Sequence, residues 1–123
     1  MNKLPDFARI VIPGVKDYYA GDDGKIYKAK ERNGKVEMFE LSPQYPDEKF
    51  RIKYVNVKVY SSSEGLINRL FAVHFLVKLA FDGYYPYGFK VIFKDKDYSN
   101  TQYKNLEWDL NSKNTWKNDF VYV

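Results

Sequence analysis

The alternation of apolar and polar positions is clearest over residues 54–60. There Val55, Val57 and Val59 fall on one side and Tyr54, Asn56, Lys58 and Tyr60 on the other. A period of two is that of a strand with one buried face. The polar run Ser61-Ser62-Ser63-Glu64-Gly65 follows and residues 66–72 return, which predicts a hairpin. From Val73 the period lengthens: Val73, Leu76, Val77, Ala80 and Phe81 form the apolar stripe of a helix packed on a core. Asp82-Gly83 ends that helix, because glycine accepts the left-handed C-terminal position.

Turn signals divide the first half of the chain. Pro13-Gly14, Gly21-Asp22-Asp23-Gly24, Asn33-Gly34 and Pro43…Pro46 each interrupt the pattern. Between them lie short strand candidates, Lys25–Lys30 and Val36–Glu40, joined at Asn33-Gly34. After the helix come a strand at Phe89–Phe93, a polar loop over residues 94–105 and a strand at Leu106–Trp108. Asn111 or Ser112 is expected to cap a last helix running to about Asp119. The apolar tail Phe120–Val123 is placed to dock as an extra strand. The fold class expected is therefore α+β, with a small N-terminal β-sheet built of hairpins, a central helix and a C-terminal strand–loop–strand–helix unit.

At 123 residues the chain is read as a single domain over 1–123, with an N-terminal β module at 12–60 and a second unit at 66–119. Cysteine is absent, which excludes disulfides, thiolate zinc sites and cysteine nucleophiles. His74 is the only histidine, so no relay between two imidazoles is available. The first residues lack the apolar run of a signal peptide, and no stretch matches a membrane span. The expectation is a protein with no membrane partner that stays in the cytoplasm.

The net charge of +4 is unevenly spread. Lys25, Lys28, Lys30, Arg32 and Lys35 face only Glu31 over residues 24–35, and Arg51, Lys53 and Lys58 follow. Glu37, Glu40, Asp47 and Glu48 offset them in between. Such runs are compatible with an ordinary solvated surface and with a basic face for a polyanion.

Two stretches resemble one family. Val73-His74-Phe75-Leu76-Val77-Lys78-Leu79-Ala80-Phe81 is similar to the V-H-R-L-V-A-x-A-F helix of HNH homing endonucleases, common in phages and mobile introns. Val91-Ile92-Phe93-Lys94-Asp95-Lys96-Asp97, through Ser99-Asn100, to Asn105-Leu106-Glu107-Trp108 resembles that family's V-N-H-x-D-G-x-x-x-N-N-x-x-x-N-L-E-W. Upstream, Ile12-Pro13-Gly14-Val15…Tyr19…Gly24-Lys25-Ile26-Tyr27 is similar to its short N-terminal module. The matches keep the family's order across residues 12–117.

The resemblance implies a ββα-metal core in which an Asp or Asn binds a divalent cation and the next residue, a histidine, deprotonates water. Transferred residue by residue, the metal ligand falls on Ile92, the general base on Phe93, the asparagine that orients the base on Asn105 and the helix residue completing the metal site on Asn114. Isoleucine offers no oxygen to a hard cation, and phenylalanine has no lone pair to accept a proton. The expectation is a degenerate nuclease with no catalytic residues, no metal and no cofactor. His74 lies on another element and is expected to be a buried or half-buried histidine hydrogen-bonded to neighbouring backbone. Asp95 and Asp97 read as turn chemistry rather than a cation site. Asn105 and Asn114 suit structural caps as well as site roles. Trp108 and Trp116 read as packing residues.

Two functions follow. In the first, the chain is a catalytically inactive HNH endonuclease-like protein, encoded by a phage, that binds DNA through Lys25, Lys28, Lys30, Arg32, Lys35, Lys58, Lys94, Lys96, Asn105, Lys113, Asn114 and Lys117. Alternatively it is a protein-binding phage factor, such as an inhibitor or regulator of a host enzyme or a virion component. Its grip would be the loop Tyr84-Tyr85-Pro86-Tyr87.

Overall fold

The computed structural model describes residues 4–46, 49, 51–86, 89–113 and 121–122, with the backbone alone for 110–113 and 121–122. Its elements, in chain order, are β1 (Phe7–Arg9), β2 (Tyr18–Gly21), β3 (Ile26–Arg32), β4 (Lys35–Glu40), β5 (Tyr54–Ser61), β6 (Gly65–Ala72), α1 (Val73–Asp82), β7 (Phe89–Phe93), β8 (Leu106–Lys113) and β9 (Val121–Tyr122). A 3-10 turn at Tyr103–Asn105 leads into β8. Among the described residues the architecture is α+β: one helix among three antiparallel sheets, ordered β1-β2-β3-β4, β5-β6-β9 and β7-β8.

The two predicted hairpins form where the turn chemistry puts them. Asn33 and Gly34 both take positive φ (53° and 78°) and leave Arg32 directly opposite Lys35. That is the two-residue turn whose twist matches a β-ribbon, and Asn-Gly is its favoured sequence. In β5–β6, Ser61 lies opposite Gly65, and the Ser61 hydroxyl accepts hydrogen bonds from the Ser63 and Glu64 amides. The valines alternate as expected: Val55 and Val57 are buried, Asn56 and Lys58 exposed.

Helix α1 buries Val73, Phe75, Leu76 and Val77, a wider arc than the predicted stripe. The reason is its position: it packs against elements of all three sheets, β1, β2 and β3 of the first, β6 of the second and β7 and β8 of the third. The core joins Ile10, Ala20 and Ile26 of the first sheet, Val55, Val57 and Phe71 of the second, the helix, and Phe93 and Leu106 of the third. Burying an aliphatic side chain completely stabilises the fold by about 1.5–3 kcal/mol, so this shared core is the main bond between the sheets.

Two features of the sequence reading change. The first segment supplies two further strands, β1 and β2; both are too short for alternation to reveal. The strand expected at Leu106–Trp108 continues to Lys113, so Asn111 and Ser112 extend a strand instead of capping a helix. Pairing with β7 explains this, since Phe89 lies opposite Lys113 beyond an irregularity at Phe89/Lys90. The remainder of that expected helix, with Asn114, Trp116 and Lys117, lies outside the described residues. The apolar tail does dock as a strand: Val121 and Tyr122 pair with Phe71 and Leu70. Among the described residues no helix is long and apolar enough to cross a membrane.

Candidate nucleic-acid interface

Register turns the basic run of the sequence into a surface. Lys28, Lys30 and Arg32 are spaced by two along β3 and so share one face. Their partners on β4, in order, are Phe39, Glu37 and Lys35, which point the same way. The β3–β4 hairpin therefore presents four cations and one carboxylate on a single face.

Two aromatic rings hold these cations. The Lys28 ammonium sits 4.3 Å above the Tyr18 ring and also donates to the Lys16 carbonyl at 3.2 Å. Lys30 and Arg32 both lie over Phe39, at 5.4 and 5.8 Å from its centroid. Arg32 faces Lys35 across the strands, a like-charge juxtaposition that costs stability in the free protein and is relieved by an anion. Lys58 joins this region through Tyr18, whose hydroxyl accepts the Lys58 amide at 3.1 Å. Lys25 stands apart, ion-paired with Glu40 at 3.5 Å.

The loop between β7 and β8 is organised differently, because its polar groups are consumed internally. Asn105 is buried; its side-chain Oδ1 accepts the Asp95 backbone amide at 3.0 Å. Its amide donates to Asp95 Oδ1 at 3.0 Å and to the Asn100 carbonyl at 2.9 Å. Asp95 further accepts the Asp97 amide at 2.8 Å and Asn100 Nδ2 at 2.8 Å. The hydrogen bonds from Asn100, Asp97 and Asn105 hold the Asp95 carboxyl below the usual carboxylate range. Asp97 accepts both the Ser99 amide and its hydroxyl. These are the Asx-type turns expected of the D-x-D segment. Lys94 and Lys96 are exposed on this loop.

Phe93 closes β7 and turns inward. Its ring packs 4.9 Å from the imidazole of His74 and 5.5 Å from the ring of Tyr98. His74 Nδ1 is buried and has no hydrogen-bond partner, so the backbone bond expected for it is not made there. Burial pushes the imidazole pKa down to about 4, keeping it neutral near pH 7. Ile92 points to the opposite, partly exposed face beside Glu107. The described side chains at this position do not fit a hard divalent cation. Ile92 has no donor, Asp95 is already occupied, and no group of three His, Asp or Glu residues converges among the described residues.

Helix α1 is tied to this unit by Asp82. Its carboxylate accepts Tyr103 Oη at 2.6 Å and Trp108 Nε1 at 2.7 Å, with the Lys78 ammonium at 3.2 Å. Burial raises the Asp82 pKa, but the hydrogen bonds from Tyr103, Trp108 and Lys78 outweigh it and the net shift is downward. The same bond to Asp82, with burial, pushes the Tyr103 phenol up to about 12. Tyr85 packs against Phe75 and Trp108, with centroids at 5.4 and 5.6 Å, whereas Tyr84 is exposed. Tyr87 lies outside the described residues, and Lys113 is described by its backbone only.

The two regions meet at Gly24. Its carbonyl accepts the buried Thr101 hydroxyl at 2.8 Å, and the Asp22 carbonyl accepts the Tyr103 amide at 3.2 Å. A Cβ on Gly24 would lie 2.5 Å from the Thr101 carbonyl carbon, and its φ of 87° is one that favours glycine.

Sequence reasoning missed Tyr18 and Phe39 as ring platforms. The signal was present: a two-residue turn at 33–34 places residue 39 opposite residue 28, on the face shared by Lys30 and Arg32.

The fold has a counterpart among solved structures. The chain is similar to the HNH homing endonuclease I-HmuI, a protein that binds and cleaves DNA, with 26% sequence identity and a TM-score of 0.50. The similarity covers 76% of this chain and 46% of I-HmuI, so the match spans less than half of that protein's length. Neither a protein-family model nor a curated protein sequence matches the chain. The fold is HNH-like. The nuclease-like scaffold is the same one that the residues at 73–81 and 91–108 resemble in sequence.

Proposed function

We propose that this protein binds DNA through the cationic face of the β3–β4 hairpin and that its HNH-like scaffold carries no nuclease chemistry. One observation supports the binding role above the others: Lys28, Lys30, Arg32 and Lys35 share a face on which Glu37 is the only carboxylate, with Arg32 set against Lys35. A face built this way gains from phosphate contact both by attraction and by relief of its own repulsion. A two-stranded ribbon also has the cross-section that a DNA major groove admits. The absence of chemistry rests on Ile92 and the inward-turned Phe93, neither of which can ligate a cation or take a proton.

The test is binding to a short labelled duplex, with Mg²⁺ present, across a salt series. The expected result is binding that is strong at ~50 mM salt and largely lost at ~200 mM, with the duplex uncut. Lys30→Glu combined with Arg32→Glu should weaken it about a hundredfold and reduce the slope of log K against log salt by about 2. Absence of binding at low salt would overturn the binding role. Mg²⁺-dependent cleavage by the native chain would overturn the inactive scaffold.

A further inference from the structure

Two cations on the hairpin share one ring. Lys30 Nζ and the guanidinium carbon of Arg32 lie 5.4 and 5.8 Å from the centroid of Phe39, both within the range at which an aromatic face attracts a cation. Phe39 sits opposite Lys28 on the neighbouring strand and is half-buried, so its position is set by the ladder. Arg32 and Lys35 face each other beside the turn, and the ring draws the guanidinium along the strand, away from its like-charged partner.

We infer that Phe39 is a positioning residue, which orders Lys30 and Arg32 in advance for contact with a polyanion; this rests on the DNA-binding reading above. Long cationic side chains lose rotamer freedom when they engage a phosphate. A ring that orders them beforehand removes part of that cost, so it adds affinity without adding a contact to the ligand. An aliphatic residue would fill the same space and keep the strand, but it has no negative face to hold a cation. The role therefore depends on aromatic character rather than on volume.

The experiment compares native protein with Phe39→Leu and Phe39→Tyr by two readouts. The first needs no DNA: proton NMR of the Lys30 and Arg32 side-chain methylenes. Upfield ring-current shifts are expected in the native protein and in Phe39→Tyr, and are lost in Phe39→Leu. The second is titration of the same labelled duplex. Phe39→Leu should bind about threefold to tenfold more weakly with an unchanged salt slope, since the number of neutralised phosphates is the same. Phe39→Tyr should bind within about twofold of native. Equal binding by native and Phe39→Leu would overturn the inference, as would a salt slope that falls with the affinity. Native protein that binds without ring-current shifts sinks the positioning role alone. Native protein that shows the shifts and binds no duplex sinks the DNA-binding reading, and the positioning role with it.

Discussion

The hairpin at residues 26–40 and the loop at residues 93–105 are both rich in polar and charged residues, yet they spend them in opposite ways. In the loop, Asn105, Asp95, Asp97 and Asn100 satisfy one another and the local backbone. In the hairpin, Lys30, Arg32 and Lys35 are exposed; Lys30 and Arg32 lie over a ring, Lys35 faces the like-charged Arg32, and their charge is directed outward. A count of charges along the chain treats the two segments alike. The difference is whether the partners of each group are already inside the protein.

The joint between the regions is where the comparison breaks most severely. Gly24→Ala would set a methyl group against the Thr101 backbone at a positive φ, with a backbone neighbour that cannot yield cheaply. Global stability should fall by about 4 kcal/mol, measured by urea denaturation. Survival of the native stability would mean that the two regions do not depend on this contact.

The next effect belongs to the HNH-like region and is driven by pH. His74 is neutral in the folded protein, with its pKa lowered to about 4 against 6.5 in the unfolded chain. Between those values the unfolded state binds the extra proton, so stability rises with pH across this window and is lost as pH falls from 6.5 towards 4. The span corresponds to about 3 kcal/mol. Asp82 and Asp95, whose pKa values are lowered, contribute their own loss only at more acid pH. Denaturation curves between pH 7 and pH 4 should show the slope in the native protein and a flatter profile in His74→Leu. An unchanged profile in that variant would assign the effect to other groups.

Asn105→Ala sharpens the contrast directly. It strands the Asp95 amide and removes two donated bonds in a buried position, which should cost about 2–3 kcal/mol. Under folding conditions DNA affinity should stay within about twofold, since Asn105 is buried and both donors of its side-chain amide are used within the loop. A large loss of affinity with intact structure would place the interface in the loop. The smallest effect expected is Trp108→Phe, which keeps a ring and removes the donor to Asp82, at about 1.5 kcal/mol. A Tyr103→Phe variant of equal cost would show that Asp82 draws on both donors alike.

Much of the architecture was legible because it is local. The alternation at 54–60, the stripe at 73–81 and the Asn33-Gly34 turn each specify an element from a few adjacent residues. The limits of that reading are equally local. β1 and β2 span three and four residues, too few for a period to show, and are strands because they pair. Residues 111–113 carry a helix-capping pattern that pairing with β7 overrides. For the candidate site, the basic run was plain, but nothing in the run distinguished Lys25, paired with Glu40, from Lys30 over a ring.

The sequence by itself determined the α+β class, the hairpins and the central helix, and it carries isoleucine and phenylalanine at positions 92 and 93. Side-chain chemistry is carried by residue identity, and no fold can give phenylalanine a lone pair. Only the tertiary structure decided which polar groups are available. Asn105 is closed off by a loop folded around it, His74 Nδ1 is left without a hydrogen-bond partner beside Phe93, and the cations of β3 are gathered on one face by the register with β4. Hydrogen bonds and charge interactions act over a few ångströms, so their outcome depends on neighbours that the chain brings together only by folding.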